Sequence, residues 1–122
     1  MNRPTHFEIL TDNPEKVADF YERVLHWEIT PWNEGETPYL LVTTGAAEDA
    51  GINGGIMERH FQQAVINTIE VDSLDAALKR VTDAGGKTVD GPNEVGGVGM
   101  HAYCADPEGN LFGLMQYFEQ SG

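Results

Sequence analysis

The sequence predicts an α+β protein built from two βαβββ modules, each a small sheet with one helix on one face. Two helical patterns begin about sixty residues apart, each after a short strand-like run. Each pattern is followed by three further strand-like segments separated by Gly and Pro. A chain of 122 residues suits a single domain, which we assign to residues 1–122, with module one about 1–60 and module two about 61–122.

The first module begins with a strand-like run, His6–Leu10, and Asp12-Asn13-Pro14 then signals the start of a helix. Apolar residues recur at i, i+3, i+4, i+7 and i+8, which predicts one buried stripe: Val17, Phe20, Tyr21, Val24 and Leu25. His26 directly after the helix is expected to cap it in a left-handed conformation. The module's remaining strands are predicted at Glu28–Trp32, Tyr39–Thr44 and Ile52–Met57.

The second module repeats this order, with a strand at Val65–Val71 and a helix start at Asp72-Ser73. Its helix is predicted to end at Gly85-Gly86 and to bury a second stripe: Leu74, Ala77, Leu78 and Val81. The later strands are predicted at Lys87–Val89, Met100–Cys104 and Leu111–Tyr117. The turn sequence DPEGN between the last two predicts a hairpin in which Tyr103 lies opposite Gly113.

Composition excludes several classes of function. Twenty Asp and Glu against seven Lys and Arg give a net charge of −13, which disfavours nucleic acid as a partner. No apolar run approaches the roughly 20 residues of a membrane span. The start of the chain lacks a signal-peptide pattern and Cys104 has no second cysteine to pair with, so we expect a cytoplasmic protein. Scattered acids are predicted to form a solvated surface: Glu34, Glu36, Glu48 and Asp49.

Five segments, spread along nearly the whole chain, resemble the vicinal oxygen chelate superfamily. They are HFEI, NPEKVADFYERVLHWEI, GINGGIM, VDSLDAALKRVTDAGGK and DPEGNLFGLMQ. The resemblance implies that the two modules curl into a mixed-sheet cup that binds a small molecule, and that the protein is a homodimer. Glyoxalase I, ring-cleaving dioxygenases, fosfomycin-modifying enzymes and bleomycin-binding proteins share this architecture, so the fold alone does not select a chemistry.

In catalytic members, the resemblance implies a divalent metal held by four side-chain positions. These positions fall on His6, near Gly54-Gly55, near Ile66 and on Gly113, and only His6 is a metal-binding residue type. One imidazole gives too little binding energy to overcome the dehydration of a divalent ion. We therefore expect no cofactor, with a divalent metal in a rearranged site as the alternative.

Strand alternation predicts which side chains share a face. His6 and Glu8 lie on one face of the first strand, and His101 and Tyr103 on one face of the later hairpin. If His101 approaches His6, the three residues His6, Glu8 and His101 are candidate acid–base catalysts. The other candidate ligand-binding residues are Trp32, Gly55, Ile66, Tyr103, Gly113 and Met115. The alternative is structural: the histidines are hydrogen-bonded within the fold, and Tyr103 is a packed strand aromatic.

Three functions therefore remain open. The expected one is a small-molecule-binding protein of the glyoxalase/bleomycin-resistance type without the usual complete divalent-metal site. The alternative is a lyase, isomerase or dioxygenase-type enzyme that acts on a small oxygenated substrate through a rearranged metal site or a His/Glu acid–base pair. The third is a dimeric interaction module whose cup is filled by side chains. The negative charge favours a cationic ligand without identifying it.

Overall fold

The computed structural model describes residues 1–32 and 38–119, and over these ranges two helices and eight strands follow the predicted order. The elements are β1 Arg3–Thr11, α1 Pro14–Leu25, β2 Glu28–Trp32, β3 Tyr39–Thr43, β4 Asn53–Glu58, β5 Val65–Glu70, α2 Leu74–Asp83, β6 Lys87–Val95, β7 Gly99–Ala105 and β8 Leu111–Tyr117. The predicted α+β class with two βαβββ repeats is confirmed. Glu34 and Glu36, predicted to be solvated, lie outside the described residues.

The chain divides into two units, which we call the first unit (residues 5–66) and the second unit (residues 1–4 and 67–122). The strands of the first unit lie in the order β2-β3-β4-β1, and those of the second in the order β5-β8-β7-β6. In each unit the first and last strands of the repeat pair in parallel, while the other pairs are antiparallel. The sequence repeat therefore corresponds to a repeated strand connectivity.

Helix α1 has the predicted ends but buries a narrower stripe than predicted. The Asn13 side chain accepts a hydrogen bond from Lys16 N at 3.2 Å, and His26 caps the other end with φ 58°. Ala18 is buried and two further residues, Val17 and Tyr21, pack against the same core. The prediction was wrong for three residues of the helix, which have about half of their surface exposed to solvent: Phe20, Val24 and Leu25.

Helix α2 buries its stripe as predicted. Ser73 Oγ accepts a hydrogen bond from Ala76 N at 3.2 Å, and Leu74 and Ala77 are buried. These residues pack in one core with Val71, which follows β5, and with apolar residues of the second unit's strands: Ala102, Cys104 and Leu114. Neither helix among the described residues has the length and apolar character needed to cross a membrane.

Strand β6 is longer than predicted, because it continues from Val89 to Val95. Asp90, Gly91 and Pro92 lie within this strand, where the register with β7 shifts on both sides of Asp90. Gly91 adopts φ 108° there, a conformation that glycine reaches without strain. Pro92 is tolerated because β6 ends the strand order of its sheet, where a missing N–H is least costly.

The turn between β7 and β8 fixes the register of the second unit's hairpin. Asp106 Oδ1 accepts hydrogen bonds from Glu108 N and Asn110 N, both at 2.9 Å, and Gly109 adopts φ 86°. Hydrogen bonds from Asn110 hold the pKa of Asp106 below its usual value. The predicted register is confirmed, since Tyr103 lies opposite Gly113.

Candidate functional site

The two faces of β1 separate apolar from ionisable side chains. Phe7 and Ile9 pack into the first unit's core. His6 and Glu8 alternate with them and therefore project from the opposite face, as predicted. Glu8 is 7% exposed, so a carboxyl group is buried in this sheet.

His6 and Glu8 are joined through Tyr39, the first residue of β3. The Tyr39 hydroxyl lies 2.7 Å from His6 Nε2 and donates a hydrogen bond of 2.9 Å to Glu8 Oε2. The His6 and Tyr39 rings are nearly parallel, with an interplanar angle of 16°. We call these three side chains the His6–Tyr39–Glu8 cluster. It provides an imidazole, a phenol and a carboxylate in one hydrogen-bonded chain, the groups used for polar recognition and proton transfer.

Sequence reasoning missed Tyr39, and Gly55 explains how the tyrosine reaches its place. Gly55 pairs with Glu8 on β1 and with Leu41 on β3. A methyl group added to Gly55 would collide with the hydroxyl end of Tyr39, so the tyrosine occupies the space that this glycine leaves open. The available signal was a tyrosine at the start of one strand beside a glycine pair in the next.

Burial dominates the electrostatics of His6. Desolvation lowers the pKa of His6 below its usual value, and the nearby Glu8 carboxylate only partly opposes this shift. The imidazole is therefore neutral at neutral pH. The buried Glu8 carboxylate is hydrogen-bonded by Tyr39, which reduces the cost of removing it from water.

The two tryptophans have different surroundings. Trp32 meets the Tyr39 ring edge-on, with ring centroids 5.9 Å apart, and so lies beside the His6–Tyr39–Glu8 cluster. Trp27 stacks on Tyr21 of α1 at 4.9 Å and also contacts Phe7. Trp32 therefore borders the cluster, whereas Trp27 packs against the first unit's core. Ile66, a candidate ligand contact, is fully buried.

The second unit brings His101, Tyr103 and Gly113 together. The His101 and Tyr103 rings meet edge-on with centroids 4.5 Å apart. A methyl group added to Gly113 would lie 2.6 Å from His101 Nε2 and 2.7 Å from Thr68 Oγ1. Thr68, 2% exposed, pairs with Gly113 and was missed from the sequence, while Met115 pairs with His101.

The polar groups of the two units follow one plan. Glu8 pairs with Gly55 in the first unit, and Thr68 pairs with Gly113 in the second. The space beside each glycine is filled by a side chain from the unit's third strand. This side chain is Tyr39 of β3 in the first unit and His101 of β7 in the second. The two units therefore have equivalent arrangements of candidate site residues, as well as equivalent secondary structure. His6 and Glu8 belong to the first unit and His101 to the second, and their predicted approach stays a prediction.

A cavity of about 370 Å³ lies in the second unit between α2 and the sheet. Its walls are mainly apolar and include Ile69, Val81 and Leu114. Alternation along β8 places Leu114 on the face opposite Gly113 and Met115. The cavity is therefore separate from the predicted ligand-binding residues of this unit.

The described residues of the first unit, 5–32 and 38–66, do not fit the divalent metal that the resemblance implies for catalytic relatives. Such an ion takes four or more donors. The cluster offers the His6 imidazole and the Glu8 carboxylate, the Tyr39 hydroxyl bridges these two donors, and Gly55 has no side chain to add. Over residues 1–32 and 38–119, no group of three or more His, Cys, Asp or Glu side chains is arranged to hold a metal ion.

Comparison with known proteins gives a family match over most of the chain. The family model described as "Glyoxalase/Bleomycin resistance protein/Dioxygenase superfamily" matches residues 3–114. Two curated mycobacterial proteins, from Mycobacterium bovis and Mycobacterium tuberculosis, are each named "Putative glyoxylase CFP32". Each is 29% identical to this chain over 114 residues. The match covers 89% of this chain but 42% of theirs, so the chain spans about two fifths of the length of these relatives.

Solved structures share the fold at low sequence identity. A variant of Streptomyces coelicolor methylmalonyl-CoA epimerase in complex with 2-nitronate-propionyl-CoA has a TM-score of 0.73 at 15% identity, covering 100% of this chain and 99% of that one. Methylmalonyl-CoA epimerase from Mycobacterium tuberculosis has a TM-score of 0.70 at 14% identity, covering 95% and 88%. The protein BH1468 from Bacillus halodurans has a TM-score of 0.71 at 15% identity, covering 99% and 98%. At these identities the likeness concerns the fold alone.

Proposed function

Because the chain belongs to the glyoxalase/bleomycin resistance protein/dioxygenase superfamily, we propose that it binds a small molecule through the His6–Tyr39–Glu8 cluster instead of a complete divalent-metal site. The observation that carries this proposal is the hydrogen-bonded chain from His6 through Tyr39 to Glu8. A partly buried chain of polar groups in a sheet gives a ligand directional hydrogen bonds in a poorly solvated place.

The proposed ligand contacts extend from this cluster. In the first unit Trp32 offers an aromatic surface beside Tyr39, and Gly55 keeps the backbone of β4 accessible to the tyrosine. The candidate contacts in the second unit are His101, Tyr103, Gly113 and Met115. We further propose a cytoplasmic homodimer with no nucleic-acid or membrane partner, in accord with the net charge of −13.

The alternative function is an acid–base enzyme, a lyase or isomerase that acts on a small oxygenated substrate. One observation favours it: burial keeps His6 neutral, the form in which an imidazole accepts a proton. In such a reaction His6 takes a proton from an acidic C–H group, and the Tyr39–Glu8 pair stabilises the imidazolium that forms. The epimerase named among the solved structures makes this class of reaction worth testing.

Metal analysis and ligand-induced stabilisation test the proposal together. Purified protein is incubated with excess iron, zinc, nickel or manganese, dialysed, and analysed for bound metal. We expect no stoichiometric metal. A panel of small carbonyl and aromatic compounds is then screened for a rise in melting temperature, since a ligand of the folded state stabilises it.

Matched histidine variants assign any stabilisation to the site. A compound that raises the melting temperature of the natural protein should have no effect on His6→Ala and a full effect on His60→Ala, because His60 is exposed and is not a member of the cluster. Stoichiometric metal would contradict the proposal in favour of a metal enzyme. A screen without any stabilising compound would support the interaction module.

A further inference from the structure

We propose that Tyr39 is a positioning residue that holds the His6 ring with its proton on Nε2, so that Nδ1 is the acceptor presented to a ligand. The inference rests on the proposed function and names the ligand class that the site takes: a molecule that presents a hydrogen-bond donor, such as a hydroxyl group or a protonated amine. It follows from the directions of the two hydrogen bonds within the His6–Tyr39–Glu8 cluster.

The tyrosine hydroxyl fixes the direction of both hydrogen bonds. It has a single hydrogen, which it donates to Glu8 Oε2 at 2.9 Å. Its oxygen therefore acts as the acceptor toward His6 Nε2, 2.7 Å away, and Nε2 must carry a hydrogen. A neutral imidazole has one N–H, so its second nitrogen, Nδ1, has the free lone pair.

The opposite hydrogen-bond direction, in which Tyr39 donates to His6 Nε2, is disfavoured by the burial of Glu8. If Nε2 accepted the tyrosine hydrogen, the Glu8 carboxylate would lose this donor while remaining 7% exposed. Removing a hydrogen-bond partner from a buried anion is costly. Burial also keeps His6 in the neutral form, in which the two ring nitrogens differ.

Gly55 makes the arrangement possible, because the Tyr39 hydroxyl lies too close to the position that the first side-chain carbon of any other residue would take. Any larger residue at position 55 must move Tyr39 away from both His6 and Glu8. We therefore assign to Gly55 a role in selecting the His6 tautomer through the tyrosine. This role accounts for a glycine at a position where catalytic relatives are expected to hold a metal ligand.

The ligand class follows from the charges around Nδ1. An unprotonated ring nitrogen is an acceptor, and the buried Glu8 carboxylate lies on the same strand face. The whole chain has a net charge of −13. An anionic group would meet an acceptor and a negative field, whereas a hydroxyl or a protonated amine supplies the missing hydrogen and is attracted by the field.

Nitrogen-15 NMR of the side chains tests the tautomer without any ligand. In the natural protein at neutral pH, we expect Nδ1 of His6 to have the shift of an unprotonated nitrogen, and Nε2 to carry a slowly exchanging hydrogen. Tyr39→Phe should abolish the slow exchange, because the acceptor is gone. Gly55→Ala should also abolish the slow exchange, because the added methyl group displaces the tyrosine. This variant tests the inference if Tyr39→Phe does not fold.

Two matched variants serve as controls for these substitutions. Tyr21→Phe removes a hydroxyl from a half-buried tyrosine that stacks on Trp27 in the same unit. Gly45→Ala adds a methyl group at an exposed glycine with no atom within 4 Å of the added carbon. Both should leave the His6 signals unchanged. A hydrogen on Nδ1 in the natural protein, or an unchanged Nε2 hydrogen in Tyr39→Phe and Gly55→Ala, would overturn the inference.

A pair of aromatic probes tests the ligand class. Phenol presents a hydroxyl donor, and anisole has a similar ring but no donor. We expect phenol to shift the Nδ1 resonance of His6 and anisole to leave it in place. Equal shifts with both probes, or none with phenol, would contradict the assigned ligand class.

The two experiments separate this inference from the proposed function. If the screened compounds stabilise the protein through His6 but the hydrogen resides on Nδ1, the binding function stands and the inference fails. If the tautomer is as expected but no compound stabilises the protein, the role of Tyr39 stands and the binding function fails.

Discussion

At the scale of single residues, burial determines the ionisation of His6 and the need of Glu8 for a hydrogen-bond donor. His6, Glu8 and Tyr39 are polar groups in a sheet whose other face is occupied by apolar side chains such as Phe7 and Ile9. Each polar group has a hydrogen-bond partner within the cluster, which reduces the cost of removing it from water. Cys104 shows the contrasting case: it is fully buried, and burial raises the pKa of its thiol, which makes it a core residue and a poor nucleophile.

The lowered pKa of His6 predicts how stability depends on pH. The unfolded chain has a histidine pKa of about 6.5. The folded protein has a lower value, because burial disfavours the charged imidazole. Unfolding therefore takes up a proton at mildly acidic pH. The contribution of His6 to the free energy of unfolding is fully present above about pH 6.5 and falls as the pH drops toward the folded-state pKa.

Urea unfolding between pH 7.5 and pH 5 measures this effect. We expect the natural protein to lose stability over this range more steeply than His6→Asn, which has no titrating group at position 6. His60→Asn is the matched control, because His60 is exposed, and it should retain the steep dependence. Identical pH dependences for the natural protein and His6→Asn would contradict the prediction.

At the scale of secondary structure elements, the end signals of the helices are local and act as the sequence predicts. Asn13 and Ser73 each accept a hydrogen bond from a backbone N–H three residues later. The width of a buried stripe is not local, because it depends on how much of the helix the sheet covers. This is why α2 buries Leu74 and Ala77 as predicted, whereas α1 leaves Phe20 exposed.

The strands of the second unit give a prediction for Gly113. A methyl group there would approach His101 Nε2 at 2.6 Å and Thr68 Oγ1 at 2.7 Å, so Gly113→Ala must displace the imidazole, the threonine or both. Overpacking of this kind costs roughly 1–3 kcal/mol. We expect a loss of that size in urea unfolding, with changed NMR signals of the His101 ring.

Gly45→Ala is the control for this substitution, because the added carbon meets no atom within 4 Å. Its free energy of unfolding should stay within about 0.5 kcal/mol of the natural protein. If Gly113→Ala is as stable as Gly45→Ala, then the position of the His101 ring does not depend on the space beside Gly113.

At the scale of the whole molecule, exposed apolar side chains predict self-association. Phe20, Val24 and Leu25 of α1 are 55%, 53% and 49% exposed, and further apolar residues are exposed on the strands. Burying such surface between two copies is favourable. We expect sedimentation equilibrium at micromolar concentrations to give a mass of twice 13.4 kDa. A mass of 13.4 kDa at every concentration would show that the chain stays monomeric.

The elements of this fold were largely determined by the sequence, because their signals are local. Alternation along β1 placed His6 and Glu8 on one face, and the DPEGN turn set Tyr103 opposite Gly113. The repeat of about sixty residues predicted two equivalent units. The extension of β6 past Val89 was not predicted, since a bulge and a turn use the same glycine and proline residues.

Only the tertiary structure decided how the polar groups are connected. Tyr39 lies 31 residues from Glu8 and 33 residues from His6, and its role depends on an open space beside Gly55 in a third strand. Thr68, His101 and Gly113 meet in the same manner in the second unit. The physical reason is that alternation along a strand fixes the face of a side chain, whereas the partner of that side chain depends on packing between distant segments.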